Sequence, residues 1–170
     1  MPEPIDTSSD PDVGAQRAEG LELALLLVLE KLTPAERAAY VLKEHRRLLE
    51  AFVAAARQGD VASLEALLTP GAVSPSDGGL RGAARVPVLG RARVANPSTA
   101  FPRFWGEVEV RFVEANGRSG VLLCRGGRPT TFMTVAASTE GVHRVMWVCN
   151  PNKIAAFLDS PSRYETVLGV

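Results

Sequence analysis

Apolar side chains in the first third of the chain recur every three to four residues, which is the spacing of an amphipathic helix. The first such stripe spans residues 21–32 and is so broad that little polar surface remains. A helix of this kind needs a cover, either from the rest of the chain or from a second copy. The second stripe has no helix breaker before Gly59 and predicts one long helix over residues 34–57. Its members are Ala38, Val41, Leu42, His45, Leu48, Leu49, Phe52 and Ala56.

Short motifs mark the beginnings of the predicted helices. Thr33 precedes Pro34, and Glu36 follows three residues after Thr33, which is the pattern of a capping box. Asp60 stands directly before another apolar stretch and predicts the N-cap of a short helix over residues 61–68. We therefore expect two consecutive helices before the first strand.

Beyond the second helix the pattern changes to strands and turns. Dipeptides such as Asn116-Gly117 and Gly126-Gly127 are typical of the turns in β-hairpins. A short helix is predicted at residues 91–95, ended by Asn96-Pro97, and another at residues 153–158. The predicted strands cover residues 72–76, 86–89, 106–116, 120–125, 129–137 and 142–149.

Helices that precede a run of antiparallel strands predict an α+β fold with the helices on one face of the sheet. We expect this sheet to be antiparallel and strongly curved around the long helix. A curved sheet closed by a helix leaves a hollow between the two, in which a small molecule can bind. The order of the elements therefore predicts a binding site between the sheet and the long helix.

The charges of the chain are balanced, with 19 basic and 19 acidic side chains and a formal net charge of zero. Binding to nucleic acid relies on clustered surplus Lys and Arg, so the balance argues against such a partner. Residues 81–93 are the one locally basic stretch. We interpret this stretch as a solvated loop and edge strand.

Cys124 and Cys149 both lie in apolar, strand-like segments, so we interpret them as small buried side chains and not as metal ligands or a disulfide. Residues 1–14 are rich in Pro, Ser and Asp, which predicts a disordered arm and not a signal peptide. The longest apolar run, residues 23–29, is far shorter than the roughly 20 residues that span a membrane. We expect a soluble, cytoplasmic protein with no membrane partner.

Residues 32–42 resemble the first helix of region four in extracytoplasmic-function sigma factors, and residues 2–5 resemble the linker before that region. Residues 45–157 resemble the SnoaL-like, ketosteroid-isomerase-like C-terminal domain that is fused to one group of these sigma factors. The matching segments are Ser76-Asp77-Gly78-Gly79, Gly90-Arg91, Glu114-Ala115-Asn116-Gly117 and Trp147-Val148-Cys149-Asn150-Pro151-Asn152-Lys153. The resemblance implies a cone-shaped α+β fold that holds a small organic molecule.

The sequence also departs from the family pattern. Glu44 runs directly into His45, at the point where the family continues into a helix-turn-helix that reads promoter DNA. We expect region two, which binds the polymerase, to be missing as well, so that no promoter-reading element remains. The expected parts are a disordered arm at residues 1–14, a region-four remnant at residues 15–44, a SnoaL-like domain at residues 45–158 and a tail at residues 159–170.

The resemblance implies a type of chemistry. Enzymes of the SnoaL-like class use a single acid or base for cyclisation, isomerisation or epoxide opening, so we expect no cofactor and no metal. A carboxylate whose pKa is raised by burial can move a proton near neutral pH. The sequence contains no Ser-His-Asp order, phosphate-binding loop or metal-ligand spacing that would suggest another chemistry.

Asp77 is the first candidate for the catalytic acid or base. In one interpretation its carboxylate faces the pocket from the end of a strand. In the other it belongs to an ordinary Asp-Gly turn, in which the side chain bonds its own backbone. The resemblance keeps both interpretations open.

His143 and Trp147 are the next candidates, because alternation along the last strand places both on one face, with Val145 and Cys149. If that face lines the cone, His143 is a general base and Trp147 forms part of the wall. If the strand begins at the surface, His143 is simply exposed.

Polar residues near the strand ends complete the candidate site. Arg91 could pair with Asp77 or bind an anionic group of the substrate, and it could equally be a surface arginine. Asn150 could contact substrate or cap the C-terminal helix. The family pattern more often has an acidic residue at the position of Asn152, so a charge pair there is in doubt.

Further wall residues are predicted from the alternation of polar and apolar positions. Phe132 and Thr134 share a strand face of mixed polarity that suits a pocket wall, although Phe132 is otherwise a core residue. Tyr40 could offer its hydroxyl to the pocket or simply pack. His45, on the apolar stripe of the long helix, is interpreted as a satisfied core histidine.

These observations favour a cofactor-independent enzyme of the cyclase or isomerase type, with a role in secondary metabolism, that does not bind DNA. Its catalytic residues would be Asp77 and His143. The alternative is a non-catalytic module that senses a ligand or regulates a sigma factor. The broad apolar helix over residues 21–32 supports the alternative, since it could bind a protein partner, but it could also pair two copies in a homodimer.

Overall fold

The computed structural model describes residues 31–77, 86–99, 108–115 and 117–159 of the 170-residue chain. The chain divides into two units, residues 1–41 and residues 42–170, and each is described by itself. The predicted arm, nearly all of the predicted helix over residues 21–32 and the tail beyond residue 159 lie outside the described residues.

The long helix, α1, covers Pro34–Gln58, as predicted to within one residue. Its capping box is formed, because Thr33 N donates to Glu36 Oε2 at 2.8 Å and Glu36 N donates to Thr33 Oγ1 at 3.3 Å. The buried side chains of α1 lie from its middle to its C-terminal end and are His45, Leu48, Leu49, Phe52, Val53, Ala55 and Ala56.

The second helix, α2, covers Val61–Leu67 and begins at the predicted cap. Ser63 N donates to Asp60 Oδ1 at 3.0 Å, and the Ser63 hydroxyl lies 2.6 Å from Asp60 Oδ2. The remaining elements are β1 (Leu68–Ser74), β2 (Val88–Leu89), α3 (Arg91–Thr99), β3 (Glu109–Ala115), β4 (Arg118–Arg125), β5 (Arg128–Ser138), β6 (Gly141–Val148) and α4 (Pro151–Asp159). The prediction that Asn96-Pro97 ends α3 is wrong, because the helix continues to Thr99 and Pro97 lies within its last turn.

The six described strands form one sheet in the order β2-β1-β6-β5-β4-β3. Neighbouring strands are antiparallel with one exception, since β1 runs parallel to β6. The prediction of a wholly antiparallel sheet is therefore wrong at β1. Hairpin turns force antiparallel pairing only between strands that follow each other in the chain. Four strands, β2 to β5, lie between β1 and β6 in the sequence, so no hairpin sets the direction of this pair.

The two faces of the sheet have different covers. The core face packs against α1, α2 and α3 and carries the larger apolar cluster, which includes Val121, Leu123, Met133, Val135, Val145 and Trp147. The outer face carries a smaller cluster, in which Val113, Leu122 and Cys124 pack with Phe132 and with Phe157 of α4. The helices therefore place the principal core on one face, and α4 covers part of the other.

Gly120 of β4 allows an aromatic ring to lie on the outer face. A Cβ atom at this position would come within 2.4 Å of the Phe132 ring. That ring in turn lies 5.2 Å from the Phe157 ring, centroid to centroid. The absence of a side chain at Gly120 thus permits the contact through which α4 packs on the sheet.

No helix in the described parts of the chain is both long and apolar enough to cross a membrane.

Candidate functional site

Asp77 joins the segment after β1 to the end of β6. Its Oδ1 accepts a hydrogen bond from Cys149 N at 2.8 Å, and its Oδ2 accepts one from Asn150 N at 3.3 Å. Its own backbone N donates to Trp147 O at 3.2 Å. The side chain is only 12% exposed, and Lys153 Nζ lies 3.5 Å from Oδ2. Asp77 therefore binds backbone amides far away in the chain, while the Gly78-Gly79 part of its predicted turn lies outside the described residues.

Asn150 caps α4, as one of its two interpretations predicted. Its Oδ1 accepts a hydrogen bond from Asn152 N at 3.0 Å, and its backbone O accepts one from Ile154 N at 3.0 Å. Because Asn150 N is bound by Asp77, the same residue is fixed from both sides. This pair of contacts sets the direction in which the chain leaves β6 and enters α4.

Trp147 is fixed from the neighbouring strand. Its Nε1 donates to Ser74 Oγ at 3.0 Å, and its ring packs against the larger apolar cluster of the core face. Trp147 therefore lies on the core face, and its role as a wall of a pocket stays a prediction. Ser74 was not singled out from the sequence, because an isolated serine in a strand carries no signal of its partner.

Cys149 lies beside three polar side chains at the end of β6. Burial raises the pKa of the Cys149 thiol, and the negative charge of Asp77 raises it further, while the hydroxyls of Thr131 and Ser76 oppose this effect. The thiol is therefore held in its protonated form. Thr131, which is 1% exposed, lies on β5 next to the end of β6. Such a thiol is a weak nucleophile and serves as a small buried group.

The structure contradicts the prediction that His143 and Trp147 share a face. The pairing of β5 with β6 shifts between Ala136, opposite Arg144, and Ala137, opposite Val142, so that one extra residue lies in β6. Such a bulge reverses the alternation before it, and it leaves Val142 and Val145 buried while His143 is exposed. The interpretation of His143 as an exposed residue near the start of the strand agrees with the structure.

Phe132 and Thr134 lie on the opposite face from Trp147. Phe132 is opposite Val148 across the β5–β6 pair, whereas Trp147 is opposite Met133 of the core face. Thr134 donates its hydroxyl to Ser119 O at 2.8 Å. The set of predicted wall residues is therefore divided between the two faces, because alternation along a strand does not show which face is covered by the helices.

Arg91 does not join these groups. Arg91 begins α3 directly after Gly90, and the described cation near Asp77 is Lys153, so the predicted pair of Arg91 with Asp77 is not formed. Tyr40 lies in the first unit and is 39% exposed. Whether either residue contacts a substrate stays a prediction.

His45 differs from its sequence-based interpretation in the hydrogen bonding of its ring. It is 9% exposed, and its Nε2 forms a hydrogen bond with Val135 O on β5 at 2.5 Å. The other ring nitrogen, Nδ1, is buried and has no hydrogen-bond partner. Only half of the ring is therefore satisfied, although the interpretation from the sequence was a fully satisfied core histidine.

Comparison with solved structures supports the predicted fold. No protein-family model matches the chain, and no curated protein matches it. Among solved structures, the extracytoplasmic function sigma factor SigJ of Mycobacterium tuberculosis is similar with a TM-score of 0.54 and 21% identity, over 70% of this chain and 45% of that chain. This chain therefore corresponds to less than half of that sigma factor.

Two further structures have related architectures. A de novo designed protein with a curved β-sheet is similar with a TM-score of 0.50 and 19% identity, over 68% of this chain and 93% of that chain. An NTF-2 like protein of unknown function from Burkholderia xenovorans LB400 has a TM-score of 0.47 and 18% identity, over 62% of this chain and 81% of that chain. The predicted α+β fold, with a curved sheet and a long helix, is confirmed, and the resemblance to a sigma-factor-associated structure is confirmed at the level of fold.

Proposed function

We propose that this chain is a cytoplasmic enzyme that isomerises or cyclises a small organic molecule by acid–base catalysis without a cofactor. The substrate would lie on the core face near the end of β6. One observation carries the proposal. The hydrogen-bonding groups of Trp147, Thr131 and Cys149 gather there, beside a face that is otherwise apolar. A few convergent polar groups among apolar walls are typical of small-molecule sites.

Within this proposal Asp77 is the first residue to test as the acid or base. Its carboxylate is only 12% exposed and lies beside the thiol of Cys149 and the end of β6, where the substrate would bind. A proton taken from one substrate carbon and returned to another would balance an isomerisation without any further reactant. The electron pair of the broken C–H bond stays on the substrate in the meantime.

A second candidate function is a non-catalytic module that senses a ligand or regulates a sigma factor. The contacts of Asp77 favour it, because they give this residue a structural task at the β6–α4 junction that requires no catalysis. The similarity to a sigma factor favours it as well. The two functions share the ligand and differ in whether the ligand is changed.

Mass spectrometry distinguishes the two functions. The purified protein is incubated with small-molecule extract from its native producer, and consumed and formed compounds are compared with a heat-inactivated control. The proposal predicts a product that appears with the wild type and is lost in Asp77→Asn, while Asn152→Ala, a neighbouring exposed change, retains it. Compounds retained without change would identify a sensor. An extract that is neither bound nor changed would contradict both functions.

A further inference from the structure

The hydrogen bond of His45 fixes which of its ring nitrogens carries a proton. A backbone carbonyl can only accept, so Nε2, which contacts Val135 O, must be the donor. In the neutral ring Nδ1 is then an acceptor with a free lone pair. A charged ring would instead bury an N–H that has no partner. The contact with Val135 O thus fixes the orientation of the ring and leaves Nδ1 as a hydrogen-bond acceptor.

An unpaired buried acceptor is unfavourable, because it loses its hydrogen bonds to water and gains none in the protein. Nearly all buried polar atoms of folded proteins have a hydrogen-bond partner, so a buried atom without one is a candidate for binding a ligand. The neighbours of His45 along the same stripe are the apolar Leu48, Leu49 and Phe52, which offer no donor. A donor for Nδ1 must therefore come from outside these groups.

The backbone near His45 is less tightly paired than the centre of the sheet. The ladder between β4 and β5 ends at the pair of Val121 and Met133, although β5 continues to Ser138. Beyond Met133, β5 stays paired with β6 as far as Ser138, and side chains add contacts, since Thr134 donates to Ser119 O and His45 bonds Val135 O. His45 thus lies beside the point where β4 and β5 stop pairing, so a donor can reach Nδ1 there without breaking the β4–β5 ladder.

The absence of charged side chains in the described core indicates that the ligand is uncharged. The buried polar residues of the described chain are His45, Thr69 and Thr131, and no buried Asp, Glu, Lys or Arg is among them. An ionised ligand would therefore lose its hydration without gaining a counter-charge from the described core. The ligand that fits is neutral, largely apolar and equipped with one hydroxyl or N–H donor.

We infer that Nδ1 of His45 is the hydrogen-bond acceptor for a neutral, largely apolar ligand that carries a hydroxyl or N–H donor. This inference rests on the proposed function, because it names the ligand class and an anchoring group of the same core face. His45 is a binding residue in this assignment. The catalytic role of Asp77 is tested separately, by the Asp77→Asn variant.

Matched probes test the assignment by equilibrium binding. Phenol, cyclohexanol and 1-naphthol each carry a donor, and toluene, methylcyclohexane and 1-methylnaphthalene have the same shape without one. The wild type is expected to bind the hydroxyl member of at least one pair about three- to tenfold more tightly than its methyl partner, which is the value of a neutral hydrogen bond.

Two variants separate binding from folding. His45→Gln keeps an N–H donor within reach of Val135 O and removes the acceptor at Nδ1, so the preference for the hydroxyl probe should disappear while the melting temperature changes little. His45→Asn keeps an acceptor near Nδ1 and loses the contact with Val135 O. It should retain part of the preference at a lower melting temperature.

The ¹⁵N resonances of the two histidines provide a second measurement on the wild type. The hydroxyl probe should shift the Nδ1 resonance of buried His45 and leave exposed His143 unchanged. Equal binding of both members of every pair, or an unaltered preference in His45→Gln, would overturn the assignment and leave the proposed function intact. If no probe binds up to its solubility limit, the assignment fails, and the proposed function is then judged by the extract experiment alone.

Discussion

The carboxylate of Asp77 accepts a hydrogen bond from the backbone N–H of Cys149, 72 residues further along the chain, at 2.8 Å. With the bond from Asn150 N, this contact connects the segment after β1 to the junction between β6 and α4.

Replacing Asp77 by Ala should destabilise the protein by about 2–3 kcal/mol, because two partly buried N–H groups lose their acceptor. Asp77→Asn should cost about half as much, since its amide oxygen can still accept from Cys149 N. Denaturant unfolding measures both changes. Lys153→Ala is the control and should cost under about 1 kcal/mol, because Lys153 is 61% exposed and surface ion pairs contribute little. A destabilisation by Lys153→Ala as large as that by Asp77→Ala would show that the ion pair, and not the backbone contact, is the stabilising element.

The cap of α4 can be tested with two neighbouring asparagines. Asn150→Ala should lower the free energy of unfolding by about 1 kcal/mol, because Asn152 N loses its acceptor. Asn152→Ala, whose side chain is exposed, should change it by less than about 0.5 kcal/mol. Equal effects of the two substitutions in chemical unfolding would argue against the cap.

The aromatic contact on the outer face depends on Gly120. Gly120→Ala should destabilise the protein by about 1–3 kcal/mol, because the new Cβ would overlap the Phe132 ring. Gly71→Ala is a matched control in β1, since nothing lies within 4 Å of the Cβ that it adds. Thermal unfolding should therefore separate the two variants. The double variant Gly120→Ala, Phe132→Leu should be less destabilised than the sum of its parts, and strict additivity would contradict the contact.

The acid dependence of stability has an identifiable contribution at the start of α2. The Ser63 hydroxyl, and then the Ser63 backbone N–H, hold the pKa of Asp60 below its ordinary value of 3.8. The unfolded chain then binds more protons than the native one in the window below 3.8, so this stabilisation is present at neutral pH and lost as pH falls through the native pKa.

Asp60→Asn removes this titration and keeps an oxygen that can accept from Ser63 N. In unfolding experiments over a pH series, the wild type should be the more stable protein near neutral pH, and the two curves should converge in acid. A constant difference between the curves down to the lowest pH would contradict the assignment.

The sequence predicted the helices and hairpins of this fold well, because their signals are local. The capping box at Thr33 and the cap at Asp60 depend on side chains within a few residues, and both are formed. The parallel pairing of β1 with β6 and the bulge at His143 depend on contacts between distant segments, and alternation along one strand carries no information about either.

The candidate site was predicted only in part for the same reason. Alternation grouped Trp147 with Val145 but did not show that this is the core face, and its partner Ser74 is supplied by another strand. Phe132 was assigned to a wall without knowledge of which face the helices cover, and it lies on the outer face. The free nitrogen of His45 became visible only through the position of Val135 O, which no local pattern specifies.

The central claim, that a small molecule binds on the core face, is tested most directly by the methionine methyl groups. Met133 lies fully buried on the core face, whereas Met146 is opposite Thr134 and therefore on the outer face. With ¹³C-methyl methionine labelling, a bound hydroxyl probe or extract compound should shift the Met133 resonance and leave Met146 unchanged. A shift of Met146 alone would place the ligand on the other face and contradict the account.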